Sequence, residues 1–194
     1  DGLSYDSIWL YDHFHTIPTP TMETTFECWT STAGLARDTK RIKIGQMVTC
    51  NGYRNPALLA KIASTVDVMS HGRLLCGLGA GWYEHEWRAY GYGFPDIPER
   101  MGAFREACEI IVRMWTEEKP VFKGKYYTID GPINSKKLMM MSTSLSRAPS
   151  HHISAASRVA GYVVPISMLA STRRVSRGPR SSGFVWSWLL LTMN

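Results

Sequence analysis

Two hydrophobic periods alternate along residues 1–135. Residues 7–11 (SIWLY) form a short apolar run that ends in the polar pair Asp12-His13, which predicts a buried strand with polar groups at its C-terminal end. Thr24 or Thr25 can cap a following helix whose one face carries Phe26, Trp29, Ala33 and Ala36. Residues 42–50 (IKIGQMVTC) predict the next strand, and Asn55-Pro56 then supplies an N-cap with proline in the first helical turn. That helix presents Leu59, Ile62, Ala63, Val66 and Met69 and stops at His71-Gly72, after which residues 73–78 (RLLCGL) predict a third strand. Pro98-Glu99 open a third helix lined by Phe104, Cys108, Ile111 and Trp115, and residues 121–129 (VFKGKYYTI) alternate around Lys123-Gly124 as a hairpin would. Strand and helix in strict alternation predict an α/β fold with a parallel sheet and right-handed crossovers.

Such sheets gather chemistry at the C-terminal ends of their strands. Here those ends are 12–15 (DHFH), 47–51 (MVTCN) and 79–86 (GAGWYEHE), all rich in polar, aromatic or glycine residues. Asp12-His13 can act as an acid/base pair, the carboxylate orienting the imidazole, or can be a satisfied polar pair at a strand end. His13-x-His15 could also hold a metal, but metal-dependent hydrolases on barrels draw further His and Asp from later strands, and few follow here. The run 77–82 (GLGAGW) has Trp82 where a dinucleotide fingerprint needs its third glycine, so close backbone approach to a flat ligand, or a plain tight turn, explains it better. Trp82 and Tyr83 fall where a ring would be stacked, while part of the Trp87, Tyr90 and Tyr92 cluster belongs to the core. Cys50 ends a strand and could line the same site.

Composition narrows the class. The chain has 194 residues, 44% hydrophobic and 20% charged, an ordinary globular balance. The longest apolar stretch, 184–193, is too short to cross a membrane, and the sequence from Asp1 opens without a charged-then-apolar leader, so no secretory signal is expected. The four cysteines lack any CxxC spacing and are read as reduced, buried thiols of a cytoplasmic protein. The net charge of +6 is unevenly distributed: residues 1–135 hold 14 Lys+Arg against 16 Asp+Glu, whereas 136–194 hold 8 Lys+Arg and no acid. The basic residues of that tail are scattered and match no nucleic-acid motif, so no nucleic-acid partner is expected.

At 6–14 (DSIWLYDHF), 45–61 (GQMVTCNGYRNPALLAK) and 72–95 (GRLLCGLGAGWYEHEWRAYGYGFP) the chain resembles the luciferase-like monooxygenase superfamily, most closely its branch that uses the deazaflavin coenzyme F420. The resemblance covers about residues 1–135. It implies a (β/α)8 TIM barrel, present here in part, without the first βα unit and the C-terminal half. It implies that Asp12 and His13 stand beside the reactive edge of the deazaflavin ring, with His13 as acid/base and Asp12 as its orienter. Met47-Val48 matches the family's non-prolyl cis peptide, a bulge that backs the ring. Cys50 matches a side chain near the pyrimidine end, Ala80, Gly81 and Trp82 a loop at the ring, and His85 a nearby side chain. The implied activity is hydride transfer between coenzyme F420 and an unknown small organic substrate. Trp82 stands where sugar-phosphate-oxidising members have a glutamate, which argues against that substrate. FMN-dependent monooxygenase chemistry, or a non-catalytic remnant, is the alternative, and the full-length relative admits a homodimer.

The pattern changes after residue 135. A stretch as long as 136–194 normally carries roughly 7 acids; this one has none, but has 12 serines and no glycine between Pro132 and Ala160. Residues 136–194 are therefore expected to be non-homologous to the family, an out-of-frame translation that is poorly ordered and lacks the family's cofactor-phosphate contacts. Resequencing the coding DNA from codon 125 onward tests this: another reading frame should restore acids, a glycine run and βα periodicity. An intact frame with no such alternative overturns the expectation.

Overall fold

The computed structural model describes residue 2, residues 4–134 and residues 188–192. The expectations for 136–187 lie outside the described residues. The elements run β1 (Ser7–Leu10), α1 (Cys28–Asp38), β2 (Lys43–Gln46), β3 (Thr49–Cys50), α2 (Pro56–Met69), β4 (Leu74–Gly79), α3 (Glu84–Ala89), α4 (Ile97–Thr116), β5 (Val121–Lys123), β6 (Thr128–Asp130) and β7 (Trp188–Thr192).

The parallel sheet is as the pattern predicts, with β1 beside β2 and with β2 and β3 both beside β4. β4 is buried at all six positions, which is why LLCGLG reads as a continuous apolar run. Its residues divide by the two-residue period of a strand. Leu74, Cys76 and Leu78 join Ile44 in one core with Trp29 and Ala36 of α1, Leu59, Ala63 and Val66 of α2, and Phe104, Ile110 and Ile111 of α4. The opposite face is built from glycine: a Cβ on Gly45 would meet the Trp9 ring, and one on Gly77 or Gly79 would meet Gln46 O or the Val48 side chain. Side chains from neighbouring strands thus lie directly on glycine backbone.

Four expectations are corrected. The predicted strand 42–50 is broken at Met47-Val48, whose peptide is cis. Between Gly45 and Thr49 it advances four residues while β4 advances three, from Leu75 to Leu78, so one extra residue bulges out there. Helix α1 begins later than Thr24 or Thr25 would set it. Its N-cap is Glu27, whose carboxylate accepts from the Trp29 and Thr30 N–H groups, and Phe26 is 75% exposed. Helix α4 starts at Ile97, capped by Asp96. Finally, β7 adds an antiparallel strand along β4 from Leu75 to Gly79, on the edge β2 and β3 leave open. A strand buried along its length needs its second row of N–H and C=O groups paired, and β7 pairs them.

The hairpin β5–β6 forms as predicted and is fastened to α4. Glu106 accepts the N–H groups of Lys125, Tyr126 and Tyr127 at 2.7, 2.9 and 3.0 Å, and any Cβ on Gly124 would meet that carboxylate. Tyr127 then reaches the end of β3, its hydroxyl accepting from Asn51 Nδ2 at 3.3 Å. Four cysteines are free, with Cys28, Cys50 and Cys76 buried. No helix of the described residues is long and apolar enough to cross a membrane.

At the opposite, N-terminal end of the strands, Arg73 gathers carbonyls. Its guanidinium donates to Ala36 O, Thr39 O, Ile42 O and Ser70 O at 2.7, 2.8, 2.7 and 2.7 Å, joining the C-terminal ends of α1 and α2 to the start of β2. A cation at two helix C-termini also meets their dipoles favourably. Replacing Arg73 by alanine is expected to lower unfolding free energy by about 2–3 kcal/mol, read from the denaturant midpoint, because hydrogen bonds to charged donors are each worth about 1.5–3 kcal/mol. Arg73→Lys should recover less than half of the loss, since an ammonium cannot fork across four acceptors.

Candidate active site

Three strand ends converge. β1 delivers Asp12 and His13, β3 delivers Cys50, and β4 delivers Ala80, Gly81 and Trp82. Asp12 is 2% exposed, and its carboxylate accepts from Cys50 N at 2.9 Å and from both terminal nitrogens of Arg54 at 2.6 and 2.9 Å. Arg54 also donates to Glu27, so one guanidinium ties the end of β1 to the N-cap of α1. Burial would lower the Arg54 pKa; its bonds to Asp12 and Glu27 outweigh that and raise it. Burial likewise works to raise Glu27, but the N–H groups it caps and Arg54 hold it below the usual carboxylate range.

His13 is oriented by a different carboxylate from the one expected. Both Asp12 oxygens are taken by Arg54 and the Cys50 N–H, whereas His13 Nδ1 lies 2.8 Å from Glu86 Oε2. Glu86, on α3, is fully buried and also accepts from the Tyr53 hydroxyl and from Phe14 N, each at 2.5 Å. Burial works to raise the Glu86 pKa; the bonds from His13, Tyr53 and Phe14 win and depress it. The sequence reading missed Glu86, Tyr53 and Arg54. The short helix of GWYEHEW was visible as a motif, but no spacing says that its second glutamate points inward while Glu84 and His85 stay exposed.

Aromatic rings close one side. Trp82 and Tyr83 stand edge-on to His13 at 5.8 and 6.0 Å, Tyr11 is 5.5 Å away, and the Tyr83 hydroxyl donates to Pro18 O at 2.8 Å. Trp87 instead belongs to a small core with Cys50 and Tyr53. Protein groups lie against glycines on both sides of this site: a Cβ on Gly52 or Gly81 would collide with the Trp87 indole, and Gly81 has φ +82°. Tyr90 and Tyr92 are 52% and 42% exposed.

The remaining expected residues divide. Met47 is 54% exposed at the bulge, and Val48 lies on Gly77 and Gly79. Cys50 is buried beside Asp12, and burial pushes its thiol up to about 12, so it is a neutral, apolar lining group. His85 is exposed and packs its ring against His15 at 5.4 Å and against Tyr83 at 5.9 Å, so it reaches His13 only through the Tyr83 ring they share. His15 Nδ1 lies 3.1 Å from Thr16 O, so the two histidines of the HxH run have separate partners.

The chain is similar in sequence and fold to known enzymes. The family model for luciferase-like monooxygenase matches residues 1–174. The F420-dependent glucose-6-phosphate dehydrogenase of Amycolatopsis mediterranei (strain U-32) is 34% identical over 141 residues, which cover 66% of this chain and 39% of that protein. A solved F420-dependent secondary alcohol dehydrogenase, in complex with an F420-acetone adduct, superposes with a TM-score of 0.59 at 28% identity, over 68% of this chain and 40% of that one. The FMN-bound oxygenating constituent of 3,6-diketocamphane monooxygenase from Pseudomonas putida shares the fold, with a TM-score of 0.55 at 23% identity over 68% of this chain and 35% of that one. The chain thus spans about two fifths of the length of the curated relative, and its sheet and helices form part of a luciferase-like (β/α) barrel. By sequence and fold, this chain belongs to the luciferase-like monooxygenase family.

Proposed function

We propose that residues 1–135 form the ring-binding part of a coenzyme F420-dependent oxidoreductase acting on a small organic substrate. The observation that carries this reading is His13, 12% exposed, anchored through Nδ1 and walled by Trp82 and Tyr83 at the C-terminal ends of three parallel strands.

The polar groups present suit a flat heteroaromatic ring. Thr49 Oγ1 and Asn51 Oδ1 are buried at the end of β3 without a hydrogen-bond partner among the described residues, and neutral Cys50 lies between them. Unsatisfied buried groups of this kind are costly and call for a ligand or water. Met47, Val48, Cys50, Ala80, Gly81, Trp82 and, at the rim, His85 would hold the ring; when bound, the deazaflavin supplies a carbon that gives or takes a hydride.

This chain's own residues supply position and a proton. His13 exchanges the proton, Asp12 and Arg54 fix the loop that carries it, and Trp82 and Tyr83 exclude water from its exposed edge. The relatives' name points to a sugar phosphate, but an indole at Trp82 offers an anionic sugar neither charge nor acceptor, so a less polar substrate fits better.

Titrating the full chain separately with coenzyme F420 and with FMN tests the proposal. Quenching of cofactor fluorescence is expected with F420. His13→Ala should bind it within a few-fold and lose about 10²–10⁴-fold in F420 reduction by a panel of small alcohols, the usual worth of general acid–base catalysis. Binding of FMN alone would transfer the proposal to a monooxygenase, and binding of neither would mark a non-catalytic remnant.

A further inference from the structure

We infer that Glu86 is the positioning residue that fixes the tautomer of His13, and that Tyr53 moderates it. The inference deepens the reading of His13 as the proton-exchanging group but is carried by separate geometry. Glu86 is fully buried; Phe14 N and Tyr53 Oη donate to it, each at 2.5 Å, and His13 Nδ1 lies 2.8 Å from its Oε2. An ionised carboxylate has no proton to give, so His13 must present Nδ1–H to it. Neutral His13 is then unprotonated at Nε2, the nitrogen that has no partner among the described residues. A proton arriving at Nε2 leaves an imidazolium whose charge faces a buried anion, where the attraction is strong. Tyr53 spends part of that anion's charge in its own hydrogen bond, and so limits how basic the imidazole becomes.

Other charged or titratable groups near the pair are Tyr11 and Tyr83, whose rings face His13, together with His15, Cys50 and the Asp12–Arg54 pair. Asp12 is saturated by donors of its own, so Glu86 is the carboxylate in direct contact with the ring. That arrangement gives Glu86 and Tyr53 opposite effects on His13, which a merely structural role would not.

The test is a long-range ¹H–¹⁵N correlation spectrum of the full chain without cofactor, titrated with pH, with His13→Ala assigning the signal. Wild type should show neutral His13 protonated at Nδ1. In E86Q the remaining carbonyl oxygen serves Phe14 N and the amide NH₂ faces His13, so the proton should move to Nε2 and the midpoint fall by about one pH unit or more. Y53F, which removes a competing donor, should keep the Nδ1 tautomer and raise the midpoint. E86D should restore part of the wild-type midpoint.

A wild-type signal protonated at Nε2 overturns the inference, as does a folded E86Q with unchanged tautomer and midpoint. Should E86Q not fold, Y53F decides alone: a lowered midpoint or a lost Nδ1 tautomer overturns it. Because no cofactor is present, failure to bind F420 leaves this result standing, and failure here leaves F420 binding untouched.

Discussion

The buried Asp12 carboxylate is the constraint from which the site follows. A carboxylate that is 2% exposed must be matched in charge and in hydrogen bonds, since stripping a buried ion pair of one partner costs about 3–5 kcal/mol. Arg54 meets both demands with a forked pair of bonds, and the Cys50 N–H takes a further lone pair. These bonds cross elements: Asp12 follows β1, Cys50 ends β3, Arg54 precedes α2, and Glu27, on the far side of the guanidinium, caps α1. Because the next residue is His13, locking Asp12 also fixes where the imidazole can stand. A residue expected to work on the histidine directly thus works on the scaffold that carries it.

Period and capping made most of the scaffold readable. β4 announces itself as an uninterrupted apolar run, and Asn55-Pro56 opens α2 at the predicted residue, Asn55 Oδ1 accepting from Ala57 N at 2.9 Å. Readings failed where the deciding partner lies far along the chain. Thr24 and Thr25 are better intrinsic caps than glutamate, but Glu27 wins because Arg54, 27 residues onward, holds its carboxylate against the helix. The break at Met47-Val48 is invisible to periodicity, since IKIGQMVTC stays apolar through it; only the resemblance located it. The antiparallel pairing of β7 had no signal in the βα alternation.

The glycines show the same limit from another side. GLGAGW looks like a surface prepared for a ligand, and glycine does permit close approach. What approaches, however, is decided by residues elsewhere: Val48 from the bulge lies on Gly77 and Gly79, and Trp87 from α3 lies over Gly52 and Gly81. The strand ends are thereby pressed together by protein side chains, and the polar atoms left over at Thr49 and Asn51 are those that packing could not satisfy. Sequence identifies the places where backbone must be bare; only the fold says what fills them.

Two carboxylates separated by Tyr53, Phe14 and the Cys50 turn therefore divide one task. Asp12 is neutralised by a permanent cation, so its charge is spent on assembly and little field is left for its neighbours. Glu86 has no such fixed cation: burial works to raise its pKa, and the hydrogen bonds from His13, Tyr53 and Phe14, with the charge of His13 as a lesser contribution, depress it. A carboxylate held ionised by hydrogen-bond dipoles, even one that shares part of its charge with Tyr53, keeps more of it available to a group that changes protonation than one paired with a fixed cation. Had the roles been reversed, with Arg54 on the carboxylate that touches His13, the guanidinium would have cancelled the field that favours the imidazolium. The separation of the two acids thus leaves one carboxylate facing His13 without a fixed cation, and the chain achieves it by drawing one acid from the end of β1 and the other from α3.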